Sequence, residues 1–304
     1  MKDFVNVMVS YPWVFYSFAF VFSATFGSFL NVVIYRLPII MKRDWIHQSY
    51  EYLKDNSPQI IKKTKETETY EKYYKTINHY NIVSTRSACP QCSAYIKPWH
   101  NIPIFGWLIL KGHCHSCSCK ISMRYPLIEF FSGILVICLA CKFGPTEQFI
   151  WATVLSLSLL TLMMIDFDEM ILPDQITLPL IWLGLIVNLE HQFTSPTDAV
   201  LGAVLGYVCF YSLAYILAFF LKRAVFGHGD FKLMALLGAW LGLGILPLVV
   251  YISFVIGAII GFILYLSKIY QFGKPIPFGP YIVASGWISL VFGEDIFTWY
   301  IALW

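Results

Sequence analysis

Two aspartates, Asp166 and Asp230, lie at the ends of long apolar runs. Asp166 follows WATVLSLSLLTLMMI, and Asp230 precedes FKLMALLGAWLGLGIL. A carboxylate at a membrane boundary costs free energy, so such a residue is expected mainly where a functional site needs it. Two further apolar stretches, about 175–189 and 199–221, separate the two acids. Because an even number of crossings returns a chain to the same side, we expect both carboxyl groups to face one compartment.

A pair of neighbouring carboxyl groups has a defined chemistry. When two such groups meet they cannot readily both ionise, so one holds a proton while the other remains a base. The titration then belongs to the pair. The base can activate a water molecule for attack on an amide, and the acid can protonate the leaving amine. Asp166 and Asp230 therefore indicate an aspartic peptidase at the membrane.

The turn before Asp230 reads Gly227-His228-Gly229. Glycine lets an extended peptide approach the backbone closely and permits backbone angles closed to other residues. A helix that begins at Asp230 would stabilise its charged form, and a plain N-cap role is the alternative. We interpret His228 as a loop residue. Lys232 is expected either to stabilise the charge of Asp230 or to bind a lipid phosphate.

Three further acids follow Asp166, and we interpret them structurally. Asp168 and Glu169 are expected to lie in a short acidic loop, and Asp174 is expected to cap the next helix.

Four cysteines form two CxxC pairs, Cys89-Pro-Gln-Cys92 and Cys114-His-Ser-Cys117. Two such pairs can supply four thiolates to one tetrahedral structural zinc ion. The loop is expected in the cytoplasm, where disulfides do not persist. Reduced cysteines without a ligand, or a redox pair, are the alternatives. Three neighbours could replace the fourth ligand: His113, His115 and Cys119.

The composition predicts an all-α polytopic membrane protein. Of 304 residues, 58% are hydrophobic and only 13% are charged, whereas a soluble domain carries about 25% charged residues. We expect about eight transmembrane helices. Their predicted spans are 11–34, 126–142, 148–165, 175–190, 199–221, 231–245, 247–267 and 277–293.

Three parts are predicted along the chain. Residues 1–35 hold the first helix, and 36–125 form a small cytoplasmic zinc-knuckle domain inserted before the second. Residues 126–304 form the membrane-embedded catalytic domain. The charged insert 42–87 is interpreted as a linker or short surface helices without chemistry, although its function is open.

Charge placement sets the expected orientation. With the N-terminus outside, every Lys and Arg except Lys2 and Lys142 falls in an inner loop, as the positive-inside rule requires. Both aspartates then face the cytoplasm. The first apolar run is too long for a signal peptide, so we expect it to stay in the membrane.

Several motifs in one order carry a resemblance to a known family. The stretch GHGDFKLMALLGAW resembles the GxGD signature of the bacterial type IV prepilin leader peptidases, which are also N-methyltransferases. The likeness extends over most of the chain except the insert and about the last dozen residues. It includes GSFLNVVIYRLP, NIPIFGWLILKGHCHSC, ISMRYPLIE and IDFDEMILPD.

The resemblance implies a substrate and two activities. A member of this family removes the short basic leader of type IV prepilins and pseudopilins after a glycine, at the cytoplasmic face of the inner membrane. It then methylates the new N-terminal residue from S-adenosylmethionine. Motif position makes Asp166 and Asp230 the catalytic pair and places the four cysteines in the domain associated with methylation. Gly112 occupies a position where the family usually has glycine and is a weak cofactor-binding candidate.

The chain departs from the family at three histidines. His100 stands where members often carry Glu, and His113 and His228 also differ from the expected residues. Arg124 and Glu129 could orient a ligand or anchor the chain at the interface.

A proton- or ion-coupled transporter is the rival class, since membrane carboxylates also carry protons. Both acids lie at span boundaries on one side, however, and no paired repeat is visible. We expect membrane lipid and prepilins as partners and no nucleic acid. The oligomeric state is not predicted.

Overall fold

The computed structural model describes residues 10–56, 74, 81–82, 86–222, 226–267 and 276–302. Within these ranges the chain is almost entirely helical, and the only β-type pairing consists of two isolated bridges. The helices are α1 (Pro12–Asn56), α2 (Phe105–Ile109), α3 (Arg124–Phe143), α4 (Glu147–Glu169), α5 (Asp174–Val187), α6 (Pro196–Leu221), α7 (His228–Leu241), α8 (Leu246–Leu266) and α9 (Gly279–Ile301).

The predicted all-α membrane class is confirmed, whereas the number of eight crossings is not. Among the described residues, five helical stretches are long and apolar enough to cross a membrane. They are α1, α3, α4, α6 and Leu243–Leu266, which joins a 3₁₀ turn to α8. Helices α5 and α7 have only 14 residues each, fewer than the roughly 20 that span a bilayer.

Several helix ends differ from the predicted spans. Helix α1 continues to Asn56 through Pro38, so the first part of the insert is helical and extends the first span. Most of the remaining insert lies outside the described residues. Helix α4 continues to Glu169 and α9 to Ile301. A prediction from hydrophobicity ends a span at its last apolar residue. A helix, however, also continues through polar residues that are good helix formers.

The chain divides into two compact units. One unit comprises Met1–Phe22 and Ser132–Trp304, and the other comprises Ser23–Phe131. The first unit therefore contains both aspartates, and the second contains the four paired cysteines.

Helix α7 forms the centre of the first unit. Its residues from Asp230 to Leu241 are buried with the exception of Lys232, which is half-buried. Helices α5, α6 and α9 pack around it. Gly202 and Gly206 of α6 lie against the backbone of α7 at Gly238 and Met234. Small residues at this spacing allow two helices to approach closely in a membrane, which fixes the position of the Asp230 end.

A buried asparagine closes the other end of α7. Asn188 donates hydrogen bonds to the carbonyl oxygens of Ala239 (2.8 Å) and Trp240 (3.0 Å). Its own carbonyl oxygen accepts the backbone N–H groups of Phe193 and Thr194. All of its polar atoms are thus paired, as a buried amide requires, and α7 is held at both ends.

Candidate active site and metal centre

Asp166 lies in the last turn of α4 and is only 5% exposed. The predicted span ended at residue 165, and Asp168 and Glu169 were expected in a loop. Both predictions are wrong, because α4 continues through Asp168 to Glu169. The helix ends at Met170, which adopts a left-handed conformation (φ 54°) and donates its N–H to the Asp166 carbonyl oxygen at 2.9 Å. This turn reverses the chain directly after the carboxyl group, so Asp166 points into the first unit.

Asp230 is the third residue of α7 and is 6% exposed. Neither sequence-based assignment of the helix start holds, because Gly227 is the N-cap and α7 begins at His228. The Gly227 N–H donates to Asp230 Oδ2 at 2.9 Å. An acid at the third position of a helix reaches back to the N-cap backbone in this way. One carboxyl oxygen is thereby fixed.

The two carboxyl groups come together in the structure. They lie close enough for the charge of Asp166 to act on Asp230. Gly279, at the start of α9, lies against Asp166 Oδ2. Leu172 contacts both Gly279 and Gly229. Helices α4, α7 and α9 thus meet at one point.

Asp166 retains one buried acceptor. Its Oδ2 atom has no hydrogen-bond partner among the described residues. Buried polar atoms in proteins are normally paired, so an orphaned carboxyl oxygen marks a position for a ligand. Next to a second carboxyl group, such an oxygen can exchange a proton with a bound water or amide.

The two glycines of the turn have different roles. A Cβ atom on Gly229 would lie 2.8 Å from Leu172 Cβ, so only glycine allows the loop after α4 to pack there. A Cβ atom on Gly227 would lie 3.7 Å from Asp230 Oδ2, an ordinary contact. His228 is exposed and is the first residue of α7, so the expectation that it lies in a loop is wrong.

Lys232 forms an ion pair that the sequence analysis did not predict. Its Nζ atom lies 2.6 Å and 2.9 Å from the two carboxylate oxygens of Asp174. Asp174 is the first residue of α5, and its side chain makes no cap, because the N-cap position belongs to Pro173. The predicted capping role of Asp174 is therefore wrong. The ion pair links the start of α5 to the start of α7.

An aromatic cluster beside the carboxyl pair was missed by the sequence analysis. Phe278 directly precedes Gly279 and packs against Phe226 and Phe254, with ring centroids 4.9 Å and 5.4 Å away. A groove of about 310 Å³ opens there. Its lining residues are Phe254, Gly257, Ala258, Ile276, Phe278 and Tyr281. Nothing in the FGP stretch points to a contact with Asp166, since that contact arises only from packing.

The cysteines of the second unit form two matching turns. The N–H of Cys89 donates to the Ala94 carbonyl oxygen, and the N–H of Cys114 donates to that of Cys119. Two serines, Ser93 and Ser118, each follow the second cysteine of a pair with φ values of 56° and 57°. An isolated bridge closes each turn at equivalent positions, Ala88 to Tyr95 and His113 to Lys120. The same turn is thus built twice.

The four sulfur atoms have the spacing of a tetrahedral metal site. The Sγ atoms of Cys89, Cys92, Cys114 and Cys117 all lie within 4.8 Å of one another. Cys89 and Cys117 are 3.8 Å apart, and Cys92 and Cys114 are 4.0 Å apart. Zinc–sulfur bonds of about 2.3 Å place neighbouring sulfurs about 3.8 Å apart. The cluster can therefore bind a metal ion.

The turns also favour thiolates. Backbone N–H groups of Cys92 and Gln91 lower the pKa of the Cys89 thiol to about 6. Those of Cys117 and Ser116 lower the pKa of Cys114 in the same way. Because the thiolate is the metal ligand, the first cysteine of each pair is prepared for coordination.

The expected substitute ligands lie outside this group of four. Cys119 Sγ is 3.5 Å from Cys89 Sγ but is not part of the four-sulfur cluster. His113 Nδ1 hydrogen-bonds to the Lys111 carbonyl oxygen at 2.8 Å. His115 packs against the ring of His100 at 5.1 Å.

Gly112 is explained by its backbone. It has a φ value of 71°, and a Cβ atom there would lie 2.8 Å from the Trp107 ring. Both features require glycine, independently of any cofactor. Glu129, which sequence analysis left between ligand and anchor, is buried and accepts the Ile104 N–H at 2.7 Å.

Comparison with known proteins covers nearly the whole chain. Residues 21–143 match the Bacterial Peptidase A24 N-terminal domain, and residues 153–262 match the Type IV leader peptidase family. A prepilin leader peptidase/N-methyltransferase of Aeromonas salmonicida is 42% identical over 96% of this chain and 95% of its own length. Proteins of the same name from Stutzerimonas stutzeri and Legionella pneumophila are 39% and 38% identical, each over 98% of this chain and over 97% and 98% of their own lengths.

No solved structure matches the chain. Identity at this level over nearly full length nevertheless decides the family. The chain belongs to the type IV leader peptidase family, whose curated members named here are prepilin leader peptidase/N-methyltransferases.

Proposed function

We propose that this protein removes the leader of type IV prepilins and pseudopilins by hydrolysis of one peptide bond, with Asp166 and Asp230 as the catalytic pair. The observation that carries the proposal is the meeting of two buried carboxyl groups on α4 and α7. The family membership and the names of the relatives support the substrate class. Three neighbouring residues support the site. Gly227 binds Asp230 through its N–H, Gly229 leaves space for Leu172, and Lys232 pairs with Asp174 at the rim.

The pair works with one shared proton. The ionised carboxylate takes a proton from a water molecule as the water oxygen attacks the carbonyl carbon of the scissile bond. The protonated carboxyl group hydrogen-bonds to the developing oxyanion and donates its proton. When the tetrahedral intermediate collapses, the carboxyl group that took up the water proton gives it to the amide nitrogen, which leaves as a free amine. The other carboxylate regains a proton from a hydroxyl group of the intermediate as the product acid forms. Burial strengthens each of these interactions, because water is excluded.

We further propose that the same chain methylates the new amine, with S-adenosylmethionine as the methyl donor. The double name of the relatives supports this second activity. The positive φ value of Gly112 and its contact with Trp107 already require glycine, so its presence is not evidence for donor binding.

We propose zinc as the metal of the four-cysteine cluster. Four thiolates in tetrahedral spacing are typical of structural zinc sites, which are closed and do not take part in chemistry. The ion would hold Cys89, Cys92, Cys114 and Cys117 together and so fix the two turns.

Orientation follows from charge. The distribution of Lys and Arg supports an external N-terminus, with the catalytic pair at the cytoplasmic face of the inner membrane. The rival transporter is not favoured, since the relatives are named for peptidase and methyltransferase activities.

A cleavage assay tests the proposed function. Full-length protein in lipid nanodiscs is mixed with a purified prepilin, and leader removal is followed by mass spectrometry. Asp166→Asn and Asp230→Asn should each lower the cleavage rate by about a thousandfold or more, because each removes an acid–base group. Asp168→Asn is the matched control, since Asp168 is an exposed acid two residues after Asp166 in the same helix. Normal processing by either of the first two variants would exclude the pair.

Methyl transfer is measured in the same assay with labelled S-adenosylmethionine. Label on the processed N-terminus supports the second activity. If cleavage proceeds without label, His100→Glu and a change at His113 test whether these departures from the family remove the activity.

A further inference from the structure

Helix α2 carries its apolar side chains on the outside. Phe105, Leu108 and Ile109 are 63%, 54% and 65% exposed. The opposite side packs inward, with Gly106 against the His100 carbonyl group and Trp107 against Gly112. A helix on a water-soluble domain turns its polar face to the solvent. Helix α2 has the reverse pattern, so we expect its outer face to contact an apolar environment and not water.

Two hydrogen bonds hold this segment in place, and one of them reaches the helix α3. The Ile104 N–H donates to Glu129 Oε2 at 2.7 Å, and Trp107 Nε1 donates to the Ile121 carbonyl oxygen at 3.1 Å. Glu129 lies five residues after Arg124, the first residue of the membrane-crossing helix α3. At 1.5 Å per residue this is about 7.5 Å along the helix. The segment before α2 is therefore bonded to the N-terminal part of α3.

The attachment at Ile104 is held against a backbone preference. Ile104 has a φ value of 63°, a conformation that a β-branched residue rarely adopts. Such a residue persists only where its surroundings enforce it. The bond to the buried Glu129 supplies that constraint and keeps α2 beside the start of α3.

The charged residues nearest to this segment in the sequence are all positive. Between Glu71 and Glu129 the chain contains no acidic residue. Lys97 and Lys111, which lie on either side of the apolar segment, are exposed. Lys97 lies 5.6 Å from the ring centre of Trp99, which is itself 58% exposed. Tryptophan with flanking basic residues is typical of a membrane interface, and the positive charge complements anionic lipid.

We propose that the outer face of this segment inserts into the headgroup region of an anionic phospholipid bilayer. We call it the interfacial face, and its residues are Trp99, Ile102, Phe105, Leu108 and Ile109. Interfacial helices bury their apolar side about 5–10 Å into the headgroup region. The lysines bind lipid phosphates, and the cysteine turns are thereby held against the membrane.

The test uses the full-length protein in nanodiscs. An environment-sensitive fluorescent amino acid, excited outside the tryptophan band, replaces Phe105. The control protein carries it in place of Tyr52, which is 68% exposed near the end of α1. Lipids with a nitroxide quencher near the headgroup should quench the probe at position 105 and shift its emission to the blue. The probe at position 52 should show neither effect.

Charge dependence provides the second readout. In discs with phosphatidylglycerol, the quenched fraction at position 105 should exceed that in purely zwitterionic discs. The Lys97→Gln/Lys111→Gln variant should lower the docking equilibrium roughly fivefold for each lysine removed. Equal quenching at positions 105 and 52 overturns the proposal. A blue-shifted probe that lipid quenchers do not reach also overturns it, because the face is then covered by protein.

Discussion

The cysteine turns and the carboxyl pair are both small clusters of ionisable groups, yet they are built in opposite ways. Each cysteine turn closes within six residues through its own backbone hydrogen bonds, such as Cys89 to Ala94. The carboxyl pair has no local hydrogen bond between its members. Asp166 comes from the end of α4, Asp230 from the start of α7, and Gly279 from the start of α9. One site is built from local sequence, whereas the other depends on helix packing.

The largest effect should come from removing the metal. In Cys89→Ser/Cys114→Ser, each turn loses the thiol whose pKa is lowered, so bound zinc should fall from about one ion per chain to none. Structural zinc contributes roughly 10–16 kcal/mol to folding in zinc-finger peptides, so the turns should unfold locally. Methyl transfer should be lost with them, while leader cleavage by the carboxyl pair should continue. Metal analysis by mass spectrometry and the two activity assays measure this.

Cys119→Ser serves as the control, because Cys119 lies outside the four-sulfur cluster and its variant should keep the metal. An undiminished zinc content in the double variant would show that these cysteines are not the ligands. A parallel loss of cleavage would show that the two sites are not independent.

The next effect concerns packing at the carboxyl pair. In Gly279→Ala the new methyl group would collide with Asp166 Oδ2. Displacing a reacting group by about 1 Å can cost about a hundredfold in rate, and we expect a loss of that size in cleavage. Gly261→Ala on α8 is the control, since a Cβ atom there meets nothing within 4 Å. Unchanged cleavage by Gly279→Ala would mean that Asp166 does not need this contact.

A smaller effect should separate the two glycines of the turn. Gly229→Ala must push Leu172 aside, so we expect roughly a tenfold loss of cleavage from a shift of Asp230. Gly227→Ala keeps the backbone N–H that binds Asp230 and has space for its methyl group, so its rate should stay near that of the unchanged protein. If Gly227→Ala instead lost more activity than Gly229→Ala, Gly227 would be the residue whose backbone an extended substrate peptide approaches closely.

What could be predicted from sequence follows the same division. The cysteine spacing is a local signal, and it identified all four members of the cluster. The two aspartates were found because a carboxylate next to an apolar run is conspicuous. That both face one side stays a prediction, because only α6 of the two helices between them is long and apolar enough to cross a membrane. Their exact helix positions were missed, because the apolar runs give no information on how far a helix continues into polar residues.

The residues that pack around the carboxyl pair could not be predicted from the sequence, for a different reason. Gly279, Leu172 and Phe278 contribute through contacts between distant helices, and an isolated glycine or leucine has no pattern that names its neighbour. Lys232 was noticed, but only Asp230 and a lipid phosphate were considered as its partners. In the fold, α5 brings Asp174 closer.

The smallest expected effect belongs to that ion pair, which lies at the rim of the packed site. Its side chains are 30% and 52% exposed for Lys232 and Asp174, and exposed pairs contribute only about 0.2–1 kcal/mol. A double-mutant cycle with Lys232→Gln and Asp174→Asn should give a coupling energy in that range for unfolding. Cleavage should change less than threefold, since buried packing and not the surface pair holds the start of α7. A loss as large as that of Asp230→Asn would instead make Lys232 part of the chemistry, and the carboxyl site would then depend on a charge at its edge as well as on helix packing.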